Sequence, residues 1–82
     1  MSHPTPALES LRALLQKRVN IIADHAFRDR DAAAHLAALQ RVSMAIEGEH
    51  ERLKASLPAR LNHFLTQASY QKALAFIEQD EV

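Results

Sequence analysis

The sequence predicts an all-α protein, in which an antiparallel hairpin of two long helices precedes one or two short C-terminal helices. Alanine (15 residues) and leucine (11 residues) dominate the composition, and both are strong helix formers. The chain has a single glycine and few β-branched residues, which disfavours strands. Apolar residues also recur at intervals of three and four, as on one face of a helix. The 82 residues are therefore interpreted as one helical domain, 1–82.

The first helix is predicted over residues 6–27, after an extended lead of five residues. Thr5 is suited to cap this helix, and Pro6 suits its first position. Leu14 and Ile21 widen its apolar stripe to about 160°, taking about 100° per residue. One neighbouring helix covers less than this, so we expect two neighbours. The rest of the stripe comprises Leu8, Leu11, Leu15, Val19, Ile22 and Ala26.

A charged segment interrupts this pattern, and Asp29 or Asp31 is predicted to cap a second helix over residues 31–56. The stripe of the second helix is Leu39, Val42, Ile46, Leu53 and Leu57. Folding the chain back at residues 28–29 brings the two apolar stripes into register. The expected pairs are Leu11 with Ile46, Leu15 with Val42, and Val19 with Leu39. This match predicts an antiparallel helical hairpin.

Residues 58–79 are predicted to be a C-terminal helical segment. Pro58 must lie in the first turn of a new helix, because inside a helix it would clash with the preceding turn. The apolar faces of the two halves of this segment point in opposite directions. Either one helix buries opposite sides along its length, or the segment breaks near residues 66–69. The break is favoured, with Ser69 capping a short last helix, and the acidic last residues are expected to fray.

The sequence also predicts a homodimer. A chain of this size buries a modest fraction of its surface, and self-association is a common remedy. Pairing two hairpins would cover the wide stripe of the first helix in a four-helix core. The competing architecture is a closed monomer, in which the C-terminal segment covers that stripe instead.

Composition and charge exclude several functional classes. The absence of cysteine excludes disulfides, thiolate metal sites and cysteine nucleophiles. Ten basic residues balance ten acidic ones, so no net field attracts nucleic acid or anionic lipid. One glycine is too few for a phosphate-binding loop. The sequence shows no signal peptide and no apolar run of about 18 residues, so we expect a cytoplasmic protein that does not bind a membrane. We also expect that it is not an enzyme and that it binds no cofactor or nucleic acid.

The function expected from these exclusions is a protein–protein interaction module, such as an adaptor, a chaperone-like protein or an assembly subunit. It would associate with itself or with another protein chain. Phe76 lies off the face shared by Leu74 and Ile77, so we expect it to be an exposed anchor. The predicted contact residues are Leu14, Val19, Ile21, Phe64, Tyr70 and Phe76. The alternative is that these residues pack in the core of the chain itself and contact no partner.

A metal-binding helical bundle is the alternative function. Glu47 and His50 form a Glu-x-x-His motif, the spacing that places a carboxylate and an imidazole on one helical face in di-iron bundles. In the predicted hairpin Glu9 lies opposite residues 49–50, and a dimer would supply a second set. However, Glu9 lies in a first turn that frays, and Gly48 loosens the motif. A solvated charged face is the other interpretation.

His35 and His50 lie fifteen residues apart, which places them on one side of the second helix. If they are buried between helices, each must be neutral or paired, and protonation below about pH 6 would weaken that interface. The sequence leaves open whether they form a pH-sensitive interface or are satisfied, half-exposed histidines.

Overall fold

The computed structural model describes residues 6–80, with side chains described for residues 8–79. Over residues 6–80 the chain is entirely helix and turn, which confirms the predicted all-α class. The predicted N-terminal lead with Thr5, and residues 81–82, lie outside the described residues. The helices are α1 (Pro6–Ala23), α2 (His25–Arg30), α3 (Ala32–Leu53), α4 (Ala59–Thr66) and α5 (Tyr70–Asp80).

The first helix ends four residues earlier than predicted, because Asp24 stops it and begins α2. The Asp24 side chain accepts a hydrogen bond from the backbone N–H of Phe27 at 3.1 Å. At the end of α1, the carbonyl of Ile21 accepts hydrogen bonds from the Asp24 N–H at 3.2 Å and from His35 Nε2 at 2.8 Å. An aspartate that bonds to the backbone competes with helix continuation. The apolar periodicity continues across this position and therefore gives no sign of the break.

The second predicted helix, residues 31–56, corresponds to α3, which begins one residue later and ends three residues earlier. Of the two candidate caps, Asp31 is the one used, and it accepts a hydrogen bond from the Ala34 N–H at 3.0 Å. After α3 the chain turns through residues 54–58. The Asn62 side chain stabilises this turn by donating to the Lys54 carbonyl at 2.8 Å. Its amide oxygen accepts from His50 Nε2 at 3.0 Å, which ties α4 to α3.

The C-terminal segment is broken, and α4 and α5 are separated by residues 67–69. The Ser69 N–H donates to the Phe64 carbonyl at 2.8 Å, and the Ala68 N–H donates to the Leu65 carbonyl at 3.1 Å. This pair of bonds is the Schellman arrangement that ends many helices. It places Ala68 in the left-handed region, at φ 55°. Ser69 precedes the first residue of α5, the position at which the sequence predicts a cap.

Ala68→Gly is expected to raise the free energy of unfolding by about 0.5–1 kcal/mol, because glycine adopts this left-handed conformation without a Cβ clash. Urea unfolding followed by circular dichroism measures the change. The matched control is Ala75→Gly, at an exposed position inside α5. Because glycine is a poor helix former, this variant is expected to lower the free energy of unfolding by a similar amount. Equal losses at both positions would contradict the assignment of strain to Ala68.

The core joins α1 to two neighbours, α3 and α5, in agreement with the expectation from the width of its stripe. Leu11 and Leu15 of α1 are fully buried. Because α5 is the second neighbour, the stripe does not require a second copy of the chain, and the homodimer stays a prediction. The buried cluster comprises Leu11, Leu15, Val42, Ile46, Leu61, Leu65, Tyr70, Ala73, Leu74 and Ile77.

Contacts at both ends of α1 indicate how it lies along α3. Ile21, near the end of α1, accepts a hydrogen bond from His35, near the start of α3. Ser10, near the start of α1, and Glu49, near the end of α3, line the same recess. These two observations are consistent with the reversal of chain direction that the hairpin prediction requires.

Candidate protein-interaction surfaces

A groove follows the contact between α1 and α3 and is called here the α1–α3 groove. Two predicted contact residues, Leu14 and Ile21, line it from α1, and both are half-buried. Their side chains are partly accessible while they pack against the core. The α3 side of the groove includes three small residues, Ala38, Ala45 and Gly48.

Three charged side chains line the α1–α3 groove. Lys17 lies along both of its halves and Arg41 lines one of them, and neither cation has a carboxylate partner among residues 8–79. Glu49 lines the other half and forms an ion pair with Arg52 at 2.7 Å. The hydrogen bond from the Arg52 guanidinium holds the pKa of Glu49 below its ordinary value, so this carboxylate is charged at neutral pH. On the α3 side the groove therefore carries a cation, Arg41, in one half and a carboxylate, Glu49, in the other, with Lys17 of α1 beside both halves.

Gly48 leaves the wall of this groove open. It lies within α3, where glycine costs about 0.5–1 kcal/mol relative to alanine. A Cβ atom at this position would meet nothing within 4 Å. Packing among the described residues thus gives no reason for a glycine here, whereas close approach of another backbone would give one.

Two other predicted contact residues pack on or within the core. Val19 is half-buried against it. Tyr70 belongs to the core itself, at 9% exposure, with the Arg18 guanidinium 4.8 Å from its ring centre. The side of α5 that carries Tyr70 faces α1, so Tyr70 is not accessible to a partner in this conformation. Tyr70 is therefore a core residue and not a contact residue.

The remaining two predicted contact residues, Phe64 and Phe76, meet on the surface between α4 and α5. The recess that they line is called the α4–α5 groove. Their rings pack edge to face with centroids 6.2 Å apart, and both side chains are half-buried. The Arg60 guanidinium lies 5.9 Å over the Phe64 ring, and Lys72 lines the same groove. Sequence reasoning anticipated the position of Phe76 off the core face but missed the two cations beside it.

The outer side of α3 exposes two large apolar residues that sequence reasoning also missed. Leu36 is 57% exposed and Met44 is 69% exposed. The sequence does indicate their exposure, because neither residue falls on the apolar stripe formed by Leu39, Val42 and Ile46. A helix with a single buried stripe turns such residues towards solvent.

The residues of the metal alternative are only partly brought together. Glu47 and His50 line one recess, but His50 Nε2 is occupied by its hydrogen bond to the Asn62 side chain. Glu9 is ion-paired with Arg12, whose hydrogen bond lowers the pKa of the carboxylate. Among the described residues no group of three or more histidine, aspartate or glutamate side chains is placed to hold a metal ion.

Both candidate pH-sensitive histidines have intramolecular partners. His35 is 6% exposed, and its Nε2–H donates to the Ile21 carbonyl. Its ring also packs edge to face against Phe27 with centroids 5.4 Å apart. His50 donates to Asn62. The two histidines are thus satisfied within the chain, and a pH-sensitive interface stays a prediction.

Comparison with protein-family models, with curated proteins and with solved structures finds no match to this chain. None of the helices in the described part of the chain is both long and apolar enough to cross a membrane.

Proposed function

We propose that this chain is a non-enzymatic helical interaction module that forms a homodimer by packing its α1–α3 groove against that of a second copy. The observation that supports this proposal is the groove itself, in which the half-buried Leu14 and Ile21 lie beside small residues of α3. On the α3 side, Arg41 lines one half of the groove and Glu49 lines the other. In this arrangement α1 and α3 of two copies form a four-helix core, with the hairpin as its repeating unit.

The small residues of α3 support close packing at this surface. Ala38, Ala45 and Gly48 are spaced by seven and three residues, so they follow one another along a single side of the helix. The distance between two packed helices is set by the side chains at their contact. Two copies of α3 crossing at Ala45 would approach closely, and Leu14 and Ile21 would then be covered from both sides.

The charges support an antiparallel, two-fold arrangement. Arg41 and Glu49 lie four residues on either side of Ala45, which is about 6 Å along the helix axis in each direction. A two-fold axis at Ala45 would therefore place Arg41 of each copy beside Glu49 of the other. The same surface is used by both copies, so the assembly closes as a dimer.

Charge reversal tests this proposal. Arg41→Glu is expected to weaken dimerisation by about tenfold to a hundredfold, because symmetry removes two opposite-charge contacts and creates two like-charge ones. Glu49→Arg is expected to act in the same direction. The double variant Arg41→Glu with Glu49→Arg exchanges the two charges and is expected to recover most of the affinity. Sedimentation equilibrium over a range of concentrations distinguishes the 9.2 kDa chain from a species of twice that mass.

The matched control is Arg28→Glu, which reverses an exposed cation on α2 outside the groove and should leave dimerisation unchanged. Far-ultraviolet circular dichroism verifies that each variant keeps its helices. A wild-type protein that sediments as the single chain at every concentration would refute the proposal. A dimer that the double variant fails to restore would place the interface elsewhere.

A further inference from the structure

The α4–α5 groove combines an aromatic surface with two cations that have no carboxylate partner among residues 8–79. Phe64 and Phe76 form its apolar part, packed edge to face. Arg60 and Lys72 are both exposed and lie on its two sides, one on each helix. Ala75 and Gln79 complete the lining, so no carboxylate among the described residues faces this groove.

The charge of this groove is not balanced within the described chain. The ion pairs among residues 8–79 join Glu9 to Arg12, Glu49 to Arg52 and Glu51 to Lys54. Arg60 contacts the Phe64 ring, which satisfies one face of its guanidinium and leaves the N–H groups at its edge available. Lys72 has no carboxylate partner in the same range. A binding partner that supplied carboxylates here would gain two opposite-charge contacts.

We infer that the α4–α5 groove binds an acidic amphipathic helix of another protein. An apolar side chain of that helix packs on the Phe64–Phe76 pair, and its carboxylates lie beside Arg60 and Lys72. This surface is separate from the α1–α3 groove, so the inference does not depend on the proposed dimer. A dimer would carry two such grooves and would act as an adaptor.

The shape of the groove favours a helix as the occupant. It lies between two short helices, α4 of eight residues and α5 of eleven, which span about 12 and 16 Å at 1.5 Å per residue. Helices pack into the groove between two others through ridges of side chains three and four residues apart. An amphipathic helix of two to three turns matches this length and presents its anchors on one face. The described residues contain no strand edge to which an extended peptide would add.

A synthetic peptide tests the inference with the full-length chain. The probe is a fluorescently labelled helix with leucine and phenylalanine on one face and glutamate on the other. Its control replaces every glutamate by lysine. Fluorescence anisotropy is expected to show binding of the acidic peptide, weakening as salt is raised, and no binding of the basic one.

Substitutions in the charged part and in the apolar part of the groove locate the site. The double variant Arg60→Gln with Lys72→Gln is expected to weaken binding by about five- to tenfold, the range for two solvent-exposed charge contacts. The matched control, Arg28→Gln with Arg30→Gln, removes the same charge from α2 and should leave binding unchanged. Phe76→Ala is expected to weaken binding as well, and Phe76→Leu retains apolar volume if the alanine variant folds poorly.

Several outcomes would overturn the inference. The absence of acidic-peptide binding would do so directly. Equal losses in the two double variants would mean non-specific attraction to positive charge. Undiminished binding by both Phe76 variants would remove the apolar anchor. Competition by a single-stranded oligonucleotide as effective as that by unlabelled peptide would indicate a polyanion site instead. The titration is repeated with the Arg41→Glu variant, whose dimerisation is expected to be weakened. Unchanged peptide binding by this variant would show that the α4–α5 groove acts independently of the dimer.

Discussion

Leu11→Ala is expected to lower the free energy of unfolding by about 2–5 kcal/mol. Leu11 is fully buried, at 0% exposure, in the cluster that joins α1 to its neighbours. Truncation removes apolar contacts and leaves a cavity that the surrounding helices fill only in part. Small domains have a total stability of about 5–15 kcal/mol, so this loss is a large fraction of the whole. Urea unfolding monitored by circular dichroism measures it.

The matched control for this substitution is Leu36→Ala. The same atoms are removed from a side chain that is 57% exposed, and the expected change is within about 0.5 kcal/mol. If Leu11→Ala does not fold, Leu11→Met nearly conserves the volume and should cost less than about 1.5 kcal/mol. Equal losses for the two alanine variants would contradict the placement of Leu11 in the core.

His35→Ala is expected to lower the free energy of unfolding by about 2–3 kcal/mol. The substitution removes the hydrogen bond to the Ile21 carbonyl and the packing of the buried imidazole against Phe27. The carbonyl then keeps only the N–H of Asp24 as a donor. The substitution therefore loosens the position at which α1 ends and α2 begins. Thermal and urea unfolding give the global effect, and amide hydrogen exchange in α2 gives the local one.

Two further variants separate the contributions of His35. His35→Leu keeps an apolar side chain but lacks the donor, so it should recover part of the loss and leave a deficit of about 1–2 kcal/mol. His63→Ala removes an exposed imidazole from α4 and should have little effect. Wild-type stability of His35→Ala, with unchanged exchange in α2, would show that this hydrogen bond does not hold the end of α1.

The candidate surfaces were only partly predictable from the sequence. A helical wheel is enough to place Phe76 off the core face, because the direction of a side chain follows from its own helix. Its contact with Phe64 was not predictable in this way, since it depends on the angle between α4 and α5 set by the turn at Ala68. In the sequence, Gly48 is only a glycine within a Glu-x-x-His motif. Its position on the α1–α3 groove emerges only when α1 lies beside it.

Local signals in the sequence predicted the helical class, limited the cap of the second long helix to Asp29 or Asp31, and favoured a break near residues 66–69, since each depends on residues a few positions apart. Tertiary structure decided which surfaces cover each helix. The sequence showed that α1 needs two neighbours, but only the folded chain makes α5 the second one and thereby buries Tyr70. The end of α1 at Asp24 likewise involves His35, which bonds to the Ile21 carbonyl fourteen residues away. Periodicity records how much of a helix is buried, whereas the identity of its neighbour depends on the packing of residues distant in the chain.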